Sequence, residues 1–79
     1  MSISYVLISC EMGDEESVMI DLEKIDSVKE VTRVMGSYDV IVKLEEPSSD
    51  DLKKTISSKI RTIDKIRTTL TLPVIQSQE

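Results

Sequence analysis

The 79-residue sequence predicts an α+β fold in which strands and helices follow one another in the order βαββαβ. Three observations support this order. Segments with a period of two alternate with segments of helical period, turn residues separate them, and the second half repeats the apolar pattern of the first. The length suits one small domain, so we expect a single domain over residues 1–79.

The first half contains the pattern of a strand, a helix and a second strand. Residues 3–9 are an apolar run rich in β-branched residues, which is typical of a strand. From Asp14, the expected N-cap, Val18, Leu22 and Ile25 recur at helical spacing. Residues 28–35 then alternate in polarity and carry several charges, which indicates a second strand near a sheet edge.

The second half begins with a hairpin. A turn over residues 36–39 connects the second strand to a third over residues 40–44. The capping box Ser48-x-x-Asp51 then predicts the start of a second amphipathic helix. Residues 66–75 alternate as a last strand, and Pro73 favours an edge position for it. The apolar positions of the second helix are Leu52, Ile56, Ile60 and Ile63.

An internal repeat identifies the architecture. At an offset of 38 residues, the apolar and acidic positions of the first helix and the following strand recur in the second half. Such a repeat predicts a ferredoxin-like sandwich, in which one antiparallel sheet carries both helices on one face and the first and third strands are central. The matching positions are Val18, Leu22, Ile25, Asp26 and Val28 in the first half and Ile56, Ile60, Ile63, Asp64 and Ile66 in the second.

The two central strands are apolar on both faces, although two helices can cover only one face. Ile3, Tyr5 and Leu7 oppose Val6 and Ile8, and Ile41 opposes its apolar neighbours on the third strand. Covering the bare face would be worth on the order of 10 kcal/mol before association costs. We therefore expect a homodimer, a dimeric α+β barrel, through Ile3, Tyr5, Leu7 and Ile41. A monomer with a mildly apolar surface is the alternative.

Composition excludes several classes of chemistry. The chain has no His, Trp, Phe, Asn or Ala, so His-based catalysis is unavailable, and we expect no metal and no cofactor. Its one cysteine, Cys10, excludes an internal disulfide and multi-thiolate zinc sites, and it fits a small core side chain better than a reactive thiol.

Charge and hydropathy set the expected partners and compartment. The net charge of −5 disfavours direct DNA binding, although residues 53–79 carry six basic and two acidic groups. No run of 18 apolar residues exists, so we expect no membrane partner and a cytoplasmic protein.

The segment over residues 34–40 is the most informative for function. Gly36 allows the positive φ of a tight hairpin, whose unpaired backbone groups can hold a small zwitterion. Asp39 can face the ammonium group, and Tyr38 offers a flat wall with a polar tip. On the last strand, Thr69-x-Thr71 places two hydroxyls on one face. An ordinary hairpin and ordinary strand propensity explain the same residues without a ligand.

These motifs, taken together, resemble the effector-binding domain of the Lrp/AsnC family of transcription regulators, called the RAM domain. The resemblance covers nearly the whole chain, and the Gly-x-Tyr-Asp turn is its specific part. The motifs are Tyr5-Val6-Leu7-Ile8, Gly13-Asp14-Glu15-Glu16, Val28-x-x-Val31, Gly36-Ser37-Tyr38-Asp39-Val40, Ile60-Arg61-Thr62-Ile63 and Thr69-Leu70-Thr71-Leu72-Pro73-Val74.

The resemblance implies sheet-to-sheet dimers that can assemble into rings of dimers, as in an octamer. It also implies an amino-acid effector, bound where neighbouring dimers meet, next to the hairpin turn. Ser37 stands where the family often has an acidic residue. The site residues carried over are Val34, Gly36, Ser37, Tyr38, Asp39, Thr69 and Thr71.

The helix-turn-helix domain of full-length regulators has no counterpart here, so we expect a stand-alone effector domain that modulates a full-length Lrp/AsnC-type regulator. Met1 directly before the first strand favours a complete chain over a fragment. The alternatives are an oligomerisation partner without ligand sensing, a small barrel enzyme relying on Tyr5, Tyr38 and Cys10, and an ACT-type domain, whose partners lie side by side in one sheet.

Overall fold

A computed structural model describes residues 1–75 and confirms the expected element order. The second helix continues into a π-helical turn, Ile56–Ile60, and none of the helices over residues 1–75 is long and apolar enough to cross a membrane. The elements are β1 (Ser2–Cys10), α1 (Glu15–Glu23), β2 (Val28–Arg33), β3 (Val40–Glu46), α2 (Ser49–Thr55) and β4 (Ile66–Pro73).

The four strands form one antiparallel sheet in the order β2-β3-β1-β4. The first and third strands are therefore central and the second and fourth are edges, as the sequence predicts for a ferredoxin-like fold. Helix α1 packs over β2 and β3, and α2 packs over β1 and β3, so both helices cover the same face. The helix-side face of β4 is the least covered part of the sheet.

The core lies between the helices and the sheet. On β1, alternate residues Val6 and Ile8 are fully buried, and on β3 the same holds for Val40, Val42 and Leu44. This alternation follows from the period of two along a strand, which sends successive side chains to opposite faces. The helices contribute the remaining large side chains of the core: Val18, Leu22, Leu52, Ile56 and Ile60.

The two helices begin differently. Ser48 caps α2 as expected: its hydroxyl accepts the Asp51 backbone N–H at 3.2 Å and donates to the Asp51 carboxylate at 3.0 Å. Asp14 occupies the N-cap position of α1, but its side chain makes no capping hydrogen bond. Its backbone carbonyl instead accepts the first helical bond, from the Val18 N–H at 3.0 Å.

The internal repeat is visible in the hydrogen bonds that end each helical segment. The Ile25 N–H donates to the Leu22 carbonyl at 3.1 Å, and 38 residues later the Ile63 N–H donates to the Ile60 carbonyl at 3.0 Å. The halves differ before this point, because the Arg61 N–H bonds to the Ile56 carbonyl, five residues back, at 2.9 Å. This longer ring is the π-helical turn.

The last strand departs from its expected alternation. Ser9 pairs with Thr68 but Cys10 pairs with Ile66, so a β-bulge inserts one extra residue into β4. Ile66 consequently lies on the helix side, packed against the core, and not on the face of Leu70 as simple alternation predicts. The strand also ends at Pro73, two residues before the expected end, and β2 ends at Arg33, again two residues early.

The Glu46 carboxylate joins three segments at the end of β3. It accepts hydrogen bonds from the hydroxyl of Ser27, before β2, and from that of Thr55, in α2, the latter at 2.8 Å. Both hydroxyl residues are buried. These hydrogen bonds favour the charged carboxylate and so hold the pKa of Glu46 below its ordinary value. The bond from Ser27 has the larger effect and the bond from Thr55 the next largest.

We predict that Glu46→Gln lowers stability at neutral pH by about 1 kcal/mol, the usual net worth of such hydrogen bonds. A lowered folded-state pKa contributes stability that is complete above the unfolded-state pKa and is lost as pH falls through the folded-state value. The Glu46→Gln protein should therefore lose less stability on acidification than the parent. Urea denaturation at several pH values measures this, with Glu23→Gln, at an exposed position in α1, as the control. Equal acid sensitivity of parent and variant would contradict the assignment.

Candidate functional site

A six-residue loop, residues 34–39, connects β2 to β3. The sequence predicts a tighter turn over residues 36–39, but the Val34 N–H donates to the Asp39 carbonyl at 2.9 Å, which closes the longer loop. The Asp39 N–H in turn donates to the Ile8 carbonyl on β1 at 2.8 Å. The loop is therefore hydrogen-bonded to the central strand at its base, while Met35 at its tip is exposed.

Gly36 adopts a φ of +113°, as its place in the predicted turn requires. A Cβ atom at this position would meet no atom within 4 Å, so a larger side chain would be opposed by backbone strain and not by a clash. The space around the loop tip is open, which leaves room for a ligand or a second chain beside the residues of the motif.

Asp39 has a structural contact that the sequence did not predict. Its carboxylate Oδ2 accepts the backbone N–H of Cys10 at 2.8 Å. The β1–β3 ladder ends with the Ile8–Val40 pair, so the side chain adds one more bond where the strand backbone no longer pairs. Asp39 thus anchors the loop to the end of β1 in addition to any role towards a ligand.

Cys10 is a core residue, as expected from its apolar neighbours. Its side chain is buried in the hydrophobic core between the helices and the sheet. Burial raises the pKa of the Cys10 thiol, and the nearby Asp39 carboxylate raises it further. Both effects disfavour the thiolate, which is the reactive form of cysteine.

Thr69 and Thr71 lie away from the loop within one chain. They pair with Ile8 and Val6 on β1, so both side chains are on the helix side of the sheet. This confirms the prediction that the two threonines share one face of the strand. At about 4.8 Å per strand spacing, Thr69 lies roughly 10 Å from the base of the loop, across β1. Thr71 is two residues further along β4, away from the loop. A single chain therefore does not bring the two groups together.

The face opposite the helices is apolar along β1 and β4. We call this side of the sheet the open face. It carries the four expected interface residues, Ile3, Tyr5, Leu7 and Ile41.

Leu70 and Leu72 also lie on the open face. They are not among the interface residues predicted from the sequence, although their alternation with Thr69 and Thr71 was the signal. They pair with Leu7 and Tyr5 and are 44% and 45% exposed. A Lys43–Glu45 ion pair of 3.7 Å lies on the same face of β3.

Metal-binding geometry is absent from the described part of the chain: residues 1–75 contain no group of three or more His, Cys, Asp or Glu side chains placed to hold an ion. The functional residues to consider are thus the loop, the two threonines and the open face.

Comparison with known proteins gives a family match over residues 3–78, to the Lrp/AsnC ligand binding domain. The chain is 38% identical over 64 residues to the regulatory protein AsnC of Escherichia coli K12, covering 81% of this chain and 42% of AsnC. It is 40% identical over 60 residues to a homocitrate synthase of Saccharolobus islandicus, covering 76% of this chain and 13% of that enzyme. The chain therefore spans less than half the length of either relative.

Solved structures share the fold. The crystal structure of FFRP-DM1 is 37% identical with a TM-score of 0.91, covering 95% of this chain and 100% of that one. The structure of the transcriptional regulator NMB0573 from Neisseria meningitidis in complex with L-Met has a TM-score of 0.84, covering 99% of this chain and 52% of that one. At 9% identity, this second likeness shows the fold alone.

The anchoring contact of Asp39 leads to a prediction about stability. Asp39→Ala should cost about 1–2 kcal/mol, because it leaves the Cys10 N–H without an acceptor at a partly buried position. Asp39→Asn should cost less than half as much, because the amide oxygen can accept the same N–H. Urea denaturation of the three proteins measures the difference. Equal losses for both variants, or none, would mean that the hydrogen bond does not hold the loop.

Proposed function

Because this chain belongs to the family of Lrp/AsnC ligand-binding domains, we propose that it is a non-enzymatic regulatory module that binds an amino-acid effector and assembles through its open face. The observation that carries this proposal is the loop over residues 34–39, which is hydrogen-bonded to β1 and presents Gly36 of the Gly-x-Tyr-Asp motif to open space.

The loop has the chemistry to hold an amino acid. Unlike those of Val34 and Asp39, the N–H groups of residues 35–38 donate to no backbone carbonyl of residues 1–75, so they are available to a carboxylate. Gly36 lets a ligand approach the backbone closely. At Asp39, Oδ2 accepts the Cys10 N–H, and Oδ1 remains for a ligand ammonium group. The structure of NMB0573 with L-Met supports an amino acid as the ligand class for this fold.

Thr69 and Thr71 stay part of the proposed effector set, together with Val34, Gly36, Ser37, Tyr38 and Asp39. Since the threonines lie across β1 from the loop of their own chain, they would join a loop supplied by a neighbouring chain. This arrangement fits effector binding where dimers meet, and it makes ligand binding depend on assembly into a ring of dimers. The target of regulation would be a full-length Lrp/AsnC-type regulator, with no direct DNA contact from this chain.

The homodimer is proposed from the exposure of the open face. Tyr5, Leu70 and Leu72 are each more than one third exposed, and they are contiguous because they pair across β1 and β4. Burying such a patch against a second copy would remove apolar area from water at roughly 25 cal/mol per Å². A self-complementary patch on one sheet face is the geometry of a two-fold dimer.

The non-enzymatic proposal draws support from composition and from the relatives. The chain has no histidine, and AsnC is a regulatory protein. The similarity to homocitrate synthase covers only 13% of that enzyme, which fits a module shared with it more than a shared catalytic centre.

The dimer prediction uses one substitution on the open face and one elsewhere. Leu70→Lys should weaken self-association at least tenfold, because it places a charge in the proposed interface at a position exposed in the monomer. The control is Ile20→Lys on α1, where the parent side chain is 52% exposed but lies off the open face. Light scattering coupled to size-exclusion chromatography reads the mass of each protein. A parent that is monomeric at micromolar concentration, or a Leu70→Lys protein that stays dimeric, would refute the interface.

The effector prediction uses a thermal-shift screen with each of the twenty amino acids. At least one should raise the melting temperature of the parent, and Asp39→Asn should weaken that ligand about tenfold by removing the charge opposite its ammonium group. Asp26→Asn, at an exposed position after α1, is the matched control and should respond as the parent does. If no amino acid at millimolar concentration shifts the parent, effector sensing fails, and an oligomerisation partner of a full-length regulator becomes the better proposal. Co-purification with such a regulator in ligand-free buffer would support that alternative.

A further inference from the structure

A cavity of about 340 Å³ opens between α2 and the adjoining ends of β1 and β4. Its volume falls within the range that proteins use for small ligands. It forms because both helices pack chiefly over the other three strands, which leaves the helix-side face of β4 the least covered. None of the loop residues 34–39 of the same chain lines it, although Thr71, which belongs to the proposed effector set, does.

The cavity wall combines apolar side chains with four hydroxyl residues, Ser2, Ser4, Ser49 and Thr71. Leu52 and Ile56 from the second helix form part of the apolar wall. Ser4 on β1 lines the cavity and is only 3% exposed, and beside it stands Thr71 on β4. The Thr71 Oγ1 atom is buried and has no hydrogen-bond partner among residues 1–75. A buried hydroxyl without a partner is costly, so a ligand oxygen that pairs with it would be favoured.

The charges of the cavity have one sign. Lys53 and Arg61 line it, and no acidic residue in the described part of the chain does. Two cations attract a carboxylate, and Arg offers a planar pair of donors suited to one. A ligand ammonium group would find no carboxylate from residues 1–75 here and would face two positive charges. The lining therefore favours an anion and disfavours a zwitterion, in contrast to the loop with Asp39.

The π-helical turn borders the same cavity. Ile56 and Arg61, the two residues joined by its 2.9 Å hydrogen bond, both contribute to the lining. An inserted residue in a helix shifts the side chains that follow it relative to a regular helix, and such turns are frequent at binding sites. The irregularity of the second helix thus coincides with the position of a cavity-lining cation.

We infer that this cavity is a second small-molecule site, which binds a small aliphatic monocarboxylate with an uncharged oxygen next to the carboxylate, the chemistry of a branched 2-oxo acid. Lys53 and Arg61 bind the carboxylate, Thr71 pairs with the oxo oxygen, and Leu52 and Ile56 contact the aliphatic chain.

The test compares three compounds with one carbon skeleton: α-ketoisovalerate, isovalerate and L-valine. Calorimetric titration of the intact chain should give the tightest binding for α-ketoisovalerate. Isovalerate should bind several-fold more weakly because it lacks the oxygen that pairs with Thr71, and L-valine should be weakest at this site because of its ammonium group.

Matched substitutions locate the site. Thr71→Val should weaken α-ketoisovalerate about tenfold and, without ligand, raise the melting temperature by removing an unpartnered hydroxyl. Thr68→Val, on the same strand but on the open face and outside the cavity lining, is its control. Arg61→Gln should weaken binding about tenfold, whereas Arg67→Gln, at a basic position outside the lining, should not.

Asp39→Asn separates this inference from the proposed effector function, which shares Thr71 with it. Unchanged α-ketoisovalerate affinity in Asp39→Asn, together with loss in Thr71→Val, supports a second site. Equal loss in both variants would show one shared site and overturn the inference. Failure of α-ketoisovalerate to bind would also overturn it, and so would tighter binding of L-valine that depends on Arg61 and Thr71. The proposed effector function is tested separately, by the amino-acid screen.

Discussion

The sheet of this protein has two apolar faces, and its two helices cover one of them. On the covered face, fully buried residues such as Val6 and Val42 meet the helices and form the core. On the other face, Tyr5, Leu70 and Leu72 remain exposed, since residues 1–75 supply no further element with which to cover them. The fold therefore stabilises one chain and leaves an apolar surface uncovered, and the proposals on assembly depend on this imbalance.

In the proposed effector loop, the residue assigned to the ligand ammonium group, Asp39, also has a structural role. Asp39 uses its backbone N–H and one carboxylate oxygen to hold the loop against β1, through Ile8 and Cys10. A loop held in this way presents its remaining groups with little loss of entropy on binding, which is the usual benefit of preorganisation. Loss of ligand response in a variant that also loses this anchor would not by itself identify a ligand contact, so the amide replacement, which keeps an acceptor, is the informative one.

The family likeness extends to proteins with different overall activities. The chain resembles part of the regulatory protein AsnC and a small part of a homocitrate synthase, at similar levels of identity. A fold shared across such proteins indicates that function is set by the residues of the site and not by the scaffold. The relevant features of this chain are then local: the open loop with Asp39, and the cation-lined cavity with Thr71.

The sequence alone determined the element order, the central and edge strands, the core faces, the cap at Ser48 and the position of the Gly36 turn, and it sufficed to suggest the family. These features depend on periodicity and short motifs, which act between residues near one another in the chain. Tertiary structure decided the bulge that moves Ile66 to the helix side, the bond from Cys10 to Asp39, and the Glu46 contacts with Ser27 and Thr55. It also decided the separation of the loop from the threonines and the cavity at Thr71. Each of these results from strand register or from contacts between residues distant in sequence, and no local pattern specifies either.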